Sequence, residues 1–286
     1  LLRTENFFLD AGCFPDEERQ FEHYKNAAIA ARGKPVTIRT LDLGGDKNLT
    51  LMKMVNKEEN PFMGYRAIRF CLDHDDIFEI QLRAILRASA FGKIKILLPM
   101  INSIREVERS RMIIERAKSA LAAENIAFDK NIQVGAMIEV PSAAITADII
   151  CAACDFISIG TNDLIQYILA VDRVNDMVAH LYEPMHPAVI RTLDMVVSAA
   201  RKAEVPVSVC GELAADPMFA PLLLGMGVTE FSMSPKSVGE IKFLLRKTTY
   251  EKARNLRNEI LSLKRSRHIA SRLRSFHYEF MQPYMD

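Results

Sequence analysis

The sequence has no apolar run that approaches the ~18–20 residues needed to span a bilayer. It also has no excess of charge of either sign, because 37 Lys and Arg stand against 36 Asp and Glu, which gives a net charge of +1. We therefore expect no membrane insertion and no nucleic-acid partner, since nucleic-acid binding relies on an excess of positive charge. The hydrophobic fraction of 49% is that of an ordinary globular protein with a sizeable core.

Cysteine is scarce and follows no framework spacing. There are five cysteines, an odd number, so a reducing, cytoplasmic setting is a simpler expectation than a disulfide-stabilised secreted domain. The pair Cys151-x-x-Cys154 is compatible with a redox site or half of a zinc site. No second Cys or His pair lies near it in sequence, so we favour buried structural thiols.

Glycine-rich nucleotide signatures are missing as well. Residues 44–47 read GGDK, a loop that carries Lys47. A Walker A loop requires GxxxxGK followed by Ser or Thr, and a dinucleotide-binding unit requires GxGxxG. The sequence therefore gives no support to a nucleotide ligand.

What is present is an alternation of short β-rich segments with longer amphipathic ones. Several of the strand segments are nearly continuous apolar runs, as is typical of parallel strands buried on both faces. The alternation predicts a parallel α/β sheet, and its repeated strand–loop–helix order favours a TIM-type (β/α)8 barrel over an open sheet. The predicted strands are 36–41, 93–99, 133–139, 155–160, 205–210 and 229–233, and the predicted helices include about 75–90, 103–124, 141–153, 187–204 and 237–247.

The strand count falls short of eight. Six full strands are recognised, and Leu1 and Leu2 are interpreted as the tail of another. We therefore expect a fragment of a longer protein that lacks the first strand–helix unit of the barrel. The barrel domain is expected over 1–250, with a helical tail over 251–286 packed on it or extending from it. Residues 263–276 of the tail carry five Lys or Arg and no acid, which fits either a solvated face or a contact for an acidic partner.

Two carboxylates follow neighbouring predicted strands. Glu139 ends the strand at 133–139, and Asp163 follows the strand at 155–160. Adjacent strands lie ~4.8 Å apart, so the carboxyl ends of two neighbours bring such groups together. Mg²⁺ usually takes one or two protein carboxylates, which makes this pair a candidate magnesium site. The alternative is a pair of loop carboxylates held by backbone N–H groups, with Asp163 as a helix N-cap.

Permanent cations are expected at the same rim. Arg3, Arg39 and Arg173 are placed near strand ends, and Arg66 is a candidate fourth. An arginine fork matches phosphate and carboxylate oxygens, so several at one mouth indicate a small, highly charged anion. A surface salt bridge is the alternative for each arginine taken alone.

Cys210 ends the strand at 205–210 and precedes Gly211 and Glu212. A thiol in this position serves as a nucleophile or as a general acid. No histidine stands beside it in sequence to activate it, so a proton-donating thiol fits better than a thiolate nucleophile. A buried inert cysteine is the alternative.

Ten long, ordered motifs resemble one family over roughly residues 1–250. These include RTENFF, IRTLDLGGDK, ENPFMGYRAIR, MIEVPSAA, SIGTNDLIQYILAVDR, CGELAADP and LLLGMGVTEFSMSP. They resemble the C-terminal, phosphoenolpyruvate-binding domain of enzyme I of the bacterial phosphoenolpyruvate:sugar phosphotransferase system. The resemblance implies a (β/α)8 barrel that carries a dimer interface, and the first step of sugar phosphotransfer.

The resemblance also implies roles for the arginines. Arg3, Arg39 and Arg173 would hold the phosphate and carboxylate of phosphoenolpyruvate. Arg66, placed by GYRAIR, would be a further phosphate contact.

The remaining roles fall on four residues. Glu139 and Asp163 would ligate Mg²⁺, and Asn162 with the Asp163 backbone would contact the phosphate. Cys210 would protonate the enolate carbon to release pyruvate.

The phosphate-accepting histidine of the family belongs to a separate N-terminal domain, and through it a phosphocarrier protein is served. No histidine of this sequence lies in a matching stretch, so the acceptor is expected outside this chain. Pyruvate phosphate dikinase and phosphoenolpyruvate synthase have similar barrels, but the entry motif favours enzyme I. The nitrogen-related paralogue of enzyme I, and a non-catalytic phosphoenolpyruvate-binding and dimerisation module, remain alternatives. The six histidines are His23, His74, His180, His186, His268 and His277.

Overall fold

The computed structural model describes residues 1–11, 14–43, 58 and 60–281. These residues group into two compact units. The first unit comprises Leu1–Met137 with Ala153–Asp155, and the second comprises Ile138–Ala152 with Phe156–Asp286. The loop at 44–47, with Lys47, lies outside the described residues.

The first unit contains strands that pair in parallel in chain order. Ile38 stands opposite both Leu2 and Ile96, and Ile96 stands opposite Val134. The segment at the start of the chain is therefore a strand, as the sequence predicted. The elements of this unit are β1 (Leu2–Arg3), α1 (Glu5–Ala11), α2 (Glu17–Ala30), β2 (Val36–Arg39), α3 (Ile68–Asp73), α4 (Asp75–Ala88), β3 (Ile94–Leu98), α5 (Ile104–Ala123) and β4 (Gln133–Ile138), whose last residue is counted with the second unit.

The second unit has three parallel strands, again paired in chain order. Cys210 stands opposite Gly160 on one side and Ser232 on the other. The ends of three strands therefore lie level with one another around this cysteine. The elements are α6 (Pro141–Ile145), α7 (Ala147–Cys151), β5 (Phe156–Gly160), α8 (Thr161–Leu169), α9 (Pro187–Lys202), β6 (Val207–Cys210), α10 (Ala220–Met226), β7 (Glu230–Ser232), α11 (Pro235–Lys247), α12 (Tyr250–Ser262) and α13 (Ser266–Met281).

Local sequence explains where two predicted helices begin and divide. α5 starts at a capping box in which Ser103 and Glu106 bond reciprocally, as the motif predicted. The predicted helix over 141–153 is wrong as a single element, because it divides into α6 and α7 at Thr146. The Thr146 hydroxyl donates to the Ser142 carbonyl at 2.8 Å, a side-chain bond that competes with the helical ladder and accompanies the break.

The strands form the buried centre of each unit. All five residues of β5 are buried, and so are Ile96, Val134 and Val209 on β3, β4 and β6. Apolar side chains on both faces explain why these strands read as continuous apolar runs rather than as alternating ones. The parallel α/β class is confirmed, and closure into an eight-stranded barrel stays a prediction.

The tail after residue 250 is helical, as its spacing indicated. It forms two helices, α12 and α13, and buries Leu256, Ile260 and Leu273. α12 approaches α10 so closely that a Cβ added at Gly225 would lie 2.1 Å from the Ala253 carbonyl oxygen. Within the described part of the chain, no helix is long and apolar enough to cross a membrane.

Candidate functional site

The end of β5 is tied to the end of β6 by a threonine hydroxyl. Thr161, the first residue of α8, is fully buried and donates to the Cys210 carbonyl at 2.8 Å. The polar group that follows Gly160 thus closes the sheet edge instead of facing solvent. This bond places the first turn of α8 directly beside Cys210.

Asn162 is fixed by the chain that leaves β6. The Glu212 backbone N–H donates to Asn162 Oδ1 at 2.9 Å. Gly211 makes this approach possible, because its φ is +94° and an added Cβ would lie 2.5 Å from Thr161 Oγ1 and 2.6 Å from Asn162 Oδ1. Glycine tolerates that backbone conformation and leaves the space that the asparagine needs.

Asp163 and Arg173 form an ion pair. Arg173 Nη2 lies 3.0 Å from Asp163 Oδ1, and the Arg173 backbone N–H donates to Gln166 Oε1 at 3.1 Å. Arg173 Nη1 is buried and has no hydrogen-bond partner among the residues that the structure describes. The interpretation of Asp163 as a helix N-cap is wrong, because Gly160 occupies that position and Asp163 lies in the first turn of α8.

Glu139 directly follows β4 and is buried, and it belongs to the same unit as Asp163. Both supply the carboxylate oxygens that Mg²⁺ prefers, and magnesium needs few protein ligands because water and substrate complete its shell. Within the described ranges, no cluster of three or more His, Cys, Asp or Glu is arranged for a metal. The donor set therefore fits a hard cation held by two carboxylates and not a zinc-type cage.

Cys210 is buried at the end of β6, among neutral hydrogen-bonding groups. Its Sγ lies 3.5 Å from the Ile159 carbonyl oxygen, to which it donates, and the Ser158 hydroxyl donates to the sulfur at 3.7 Å. A thiol held in this way keeps its proton directed by fixed neighbours. This surrounding agrees with a proton-donating role better than with a solvent-exposed nucleophile.

The first unit holds the other arginines in a buried ionic cluster. Asp42 accepts from Arg66 Nη2 at 2.8 and 3.0 Å and from Arg66 Nε at 3.1 Å, and Arg39 Nη1 lies 3.1 Å from its Oδ2. Arg39 also forms an ion pair with buried Glu5. Arg3 is exposed and stands opposite Arg39 in the β1–β2 register.

The structure thus brings the predicted residues together in two groups. Arg39 and Arg66 meet at Asp42, with Arg3 alongside Arg39, and the second group surrounds the ends of β5 and β6. The meeting of both groups at a single mouth stays a prediction. The second group consists of Asn162, Asp163, Arg173 and Cys210.

Several residues of these groups were missed from the sequence. Asp42 and Glu5 pair with the arginines, and Tyr182 donates to the Asn162 carbonyl at 3.3 Å. Burial raises the pKa of Tyr182 to about 12, with Glu212 and Asp163 adding to the rise and Arg173 opposing it. Asp42 follows β2 closely enough to have been considered, whereas nothing in sequence ties Tyr182 to a residue twenty positions away.

The pair Cys151 and Cys154 is structural. Both thiols are buried and free, as favoured from the sequence. Burial, with the nearby Asp148 charge, raises the pKa of Cys151 to about 11. A thiol that stays protonated at neutral pH is a poor nucleophile and a poor metal ligand.

Comparison with known proteins follows this geometry. The profile of a family described as "PEP-utilising enzyme, PEP-binding domain" matches residues 1–250. A phosphoenolpyruvate-protein phosphotransferase of Buchnera aphidicola subsp. Acyrthosiphon pisum is 48% identical over 276 residues, 96% of this chain and 48% of that protein. The enzyme of the same name from Haemophilus influenzae is 48% identical over 261 residues, 91% of this chain and 45% of that protein.

The resemblance recognised from the motifs is therefore confirmed. The chain spans about half the length of the curated relatives it matches. A solved citrate lyase from Burkholderia xenovorans LB400 has a TM-score of 0.45 and 17% identity over 69% of this chain and 67% of that chain, a likeness too low to carry an argument. From the profile match, the chain belongs to the family of PEP-utilising enzymes, within their PEP-binding domain.

Proposed function

We propose that this chain is the phosphoenolpyruvate-binding part of a phosphoenolpyruvate–protein phosphotransferase. The observation that carries the proposal is the cluster at the ends of β5 and β6. There a carboxylate–guanidinium pair, Asp163 and Arg173, follows the helix turn whose Thr161 bonds to Cys210. Metal ligation, anion binding and carbon protonation each find a suitable side chain within one unit.

The arginines bind and orient the anion. Phosphoenolpyruvate carries a phosphate and a carboxylate, and both match the planar fork of a guanidinium. Arg3, Arg39, Arg66 and Arg173 are assigned to these groups, and Asn162 to a phosphate oxygen. In phosphoryl transfer the protein acts mainly by positioning and by neutralising charge on the transferring group.

Glu139 and Asp163 are assigned as the ligands of Mg²⁺. When bound, the ion would neutralise charge on the phosphoryl oxygens and help to orient them. Arg173 pairs with Asp163 and so holds that carboxylate in place beside Asn162. Two buried carboxylates in one unit need a cationic partner, and a divalent ion supplies it.

Cys210 is assigned the proton that converts the enolate to pyruvate. Loss of the phosphoryl group leaves the enolate oxygen with its electron pair, and the methylene carbon takes a proton from the thiol. A C–H bond forms as the S–H bond breaks, and the thiolate is reprotonated before the next turnover. Ser158 and the Ile159 carbonyl hold the sulfur in place during this step.

The wider context is part of the same proposal. The phosphoryl acceptor is a histidine on an N-terminal domain outside this chain, which then serves a phosphocarrier protein in sugar uptake. The protein acts in the cytoplasm as a homodimer. A strand upstream of β1 completes an eight-stranded (β/α)8 barrel over residues 1–250, and 251–286 form its helical tail.

Calorimetry tests this function directly. Phosphoenolpyruvate is titrated into the 286-residue chain with Mg²⁺ and again with EDTA, and binding is expected only with the metal. Arg173→Ala is expected to weaken binding at least tenfold, because a charge-assisted contact contributes about 1.5–3 kcal/mol. Arg191→Ala, an exposed arginine on α9, is the control. Binding that persists in EDTA, or absent binding by the folded chain, contradicts the proposal.

A further inference from the structure

Tyr182 lies in the segment between α8 and α9, directly after a short turn at Ala179–Leu181. Its hydroxyl donates to the Asn162 carbonyl at 3.3 Å. The bond reaches back twenty residues to the first turn of α8. Tyr182 therefore fixes the returning chain onto the turn that holds Asn162 and Asp163.

The same hydroxyl lies beside the Arg173 guanidinium. Arg173 hydrogen-bonds to the Tyr182 side chain and lowers its pKa, while burial and the charges of Glu212 and Asp163 raise it to about 12. The phenol consequently stays protonated at neutral pH. It acts as a donor towards Asn162 and as an acceptor for Arg173.

Arg173 is held from several sides. Asp163 pairs with its Nη2, Gln166 accepts from its backbone N–H, and Tyr182 contacts the guanidinium. Its Nη1 is buried and has no hydrogen-bond partner in the described part of the chain. A buried guanidinium N–H without a partner is costly, and an anion oxygen is the ligand that satisfies it.

We propose that Tyr182 is a positioning residue, which locks Arg173 and the Asn162 turn into one arrangement that receives a phosphate or carboxylate oxygen. The inference rests on the proposed function for the identity of the anion. Tyr182 itself does not take part in the chemistry. It acts through Arg173 and Asn162, and its loss lets the guanidinium rotate away from the anion.

The test is Tyr182→Phe, which removes only the hydroxyl. With Mg²⁺ present, calorimetry is expected to show phosphoenolpyruvate binding about five- to tenfold weaker, as for one lost hydrogen bond. Tyr250→Phe is the matched control, because Tyr250 is a half-exposed tyrosine at the start of α12. In an Arg173→Lys background the same change is expected to cost less than twofold, because the two residues act as one unit.

A readout without ligand separates this inference from the proposed function. Amide hydrogen exchange over 171–186 is expected to be faster in Tyr182→Phe than in the parent chain, and unchanged in Tyr250→Phe. Unchanged exchange with unchanged affinity overturns the inference, and so does a full additive loss in the Arg173→Lys background. If the parent chain does not bind phosphoenolpyruvate, the proposed function fails, and the exchange result still decides whether Tyr182 positions Arg173.

Discussion

The two arginine groups of this molecule differ in how they are held. In the first unit, the Arg39 and Arg66 side chains are 8% and 6% exposed and share the buried carboxylate of Asp42. In the second, Arg173 is 28% exposed and pairs with Asp163. The first group is fixed by the fold before any ligand arrives, whereas the second keeps a guanidinium N–H for a partner. Arginines that look equivalent in sequence thus divide into a rigid pair and a responsive one.

Replacing the carboxylate of each group is expected to separate them most strongly. Asp42→Ala leaves two buried guanidinium groups without their shared counter-charge, which is expected to lower the free energy of unfolding by about 3–5 kcal/mol. Asp163→Ala leaves a partly exposed arginine and is expected to cost about 1 kcal/mol or less. Urea denaturation measures both values. Equal losses would show that the two groups do not differ as described.

Cys210→Ala sharpens the comparison from the side of chemistry. Pyruvate formation by the protein joined to its histidine-bearing domain is expected to fall at least about a hundredfold, the usual contribution of a positioned proton donor. Phosphoenolpyruvate affinity is expected to stay within about twofold, because the thiol is not assigned to anion binding. Parallel turnover and binding assays measure the two quantities. Unchanged turnover removes Cys210 from the mechanism.

Gly211→Ala tests the geometry that fixes Asn162. A Cβ there would lie 2.5–2.6 Å from Thr161 and Asn162 at a φ of +94°, so stability is expected to fall by about 1–3 kcal/mol. Gly239→Ala is the control, because nothing lies within 4 Å of its added Cβ on α11. That change is expected to stabilise the helix by about 0.5–1 kcal/mol. Thermal unfolding of both variants, with similar shifts, would contradict the close packing at Gly211.

How far the sequence predicted this site depends on the kind of contact. Asn162, Asp163 and Cys210 were found because an apolar strand must end before polar groups can begin, and that change is visible in the residues. Tyr182 and Glu5 were not found, because their roles come from tertiary contacts that no spacing encodes. The division of 141–153 at Thr146 was missed for a related reason, since its apolar residues keep a helical period across the break.

The smallest expected effect is a pH dependence in the first unit. Burial lowers the pKa of His23, which stacks on Phe7 at 4.4 Å. The unfolded chain, with a pKa near ~6.5, then binds the proton more readily. Stability is therefore full above about pH 6.5 and falls, by less than about 1 kcal/mol, as pH drops towards the lowered folded pKa. His23→Gln is expected to flatten this slope in denaturation at pH 5–7; an unchanged slope would remove His23 as its source.

The account depends most on one cation held by Glu139 and Asp163 together with phosphoenolpyruvate. Anomalous diffraction from crystals grown with Mn²⁺ and phosphoenolpyruvate locates that ion directly. The account predicts a single manganese peak in contact with oxygens of both carboxylates and of the ligand. A peak bound to other residues, or phosphoenolpyruvate bound with no metal between these two side chains, would contradict it.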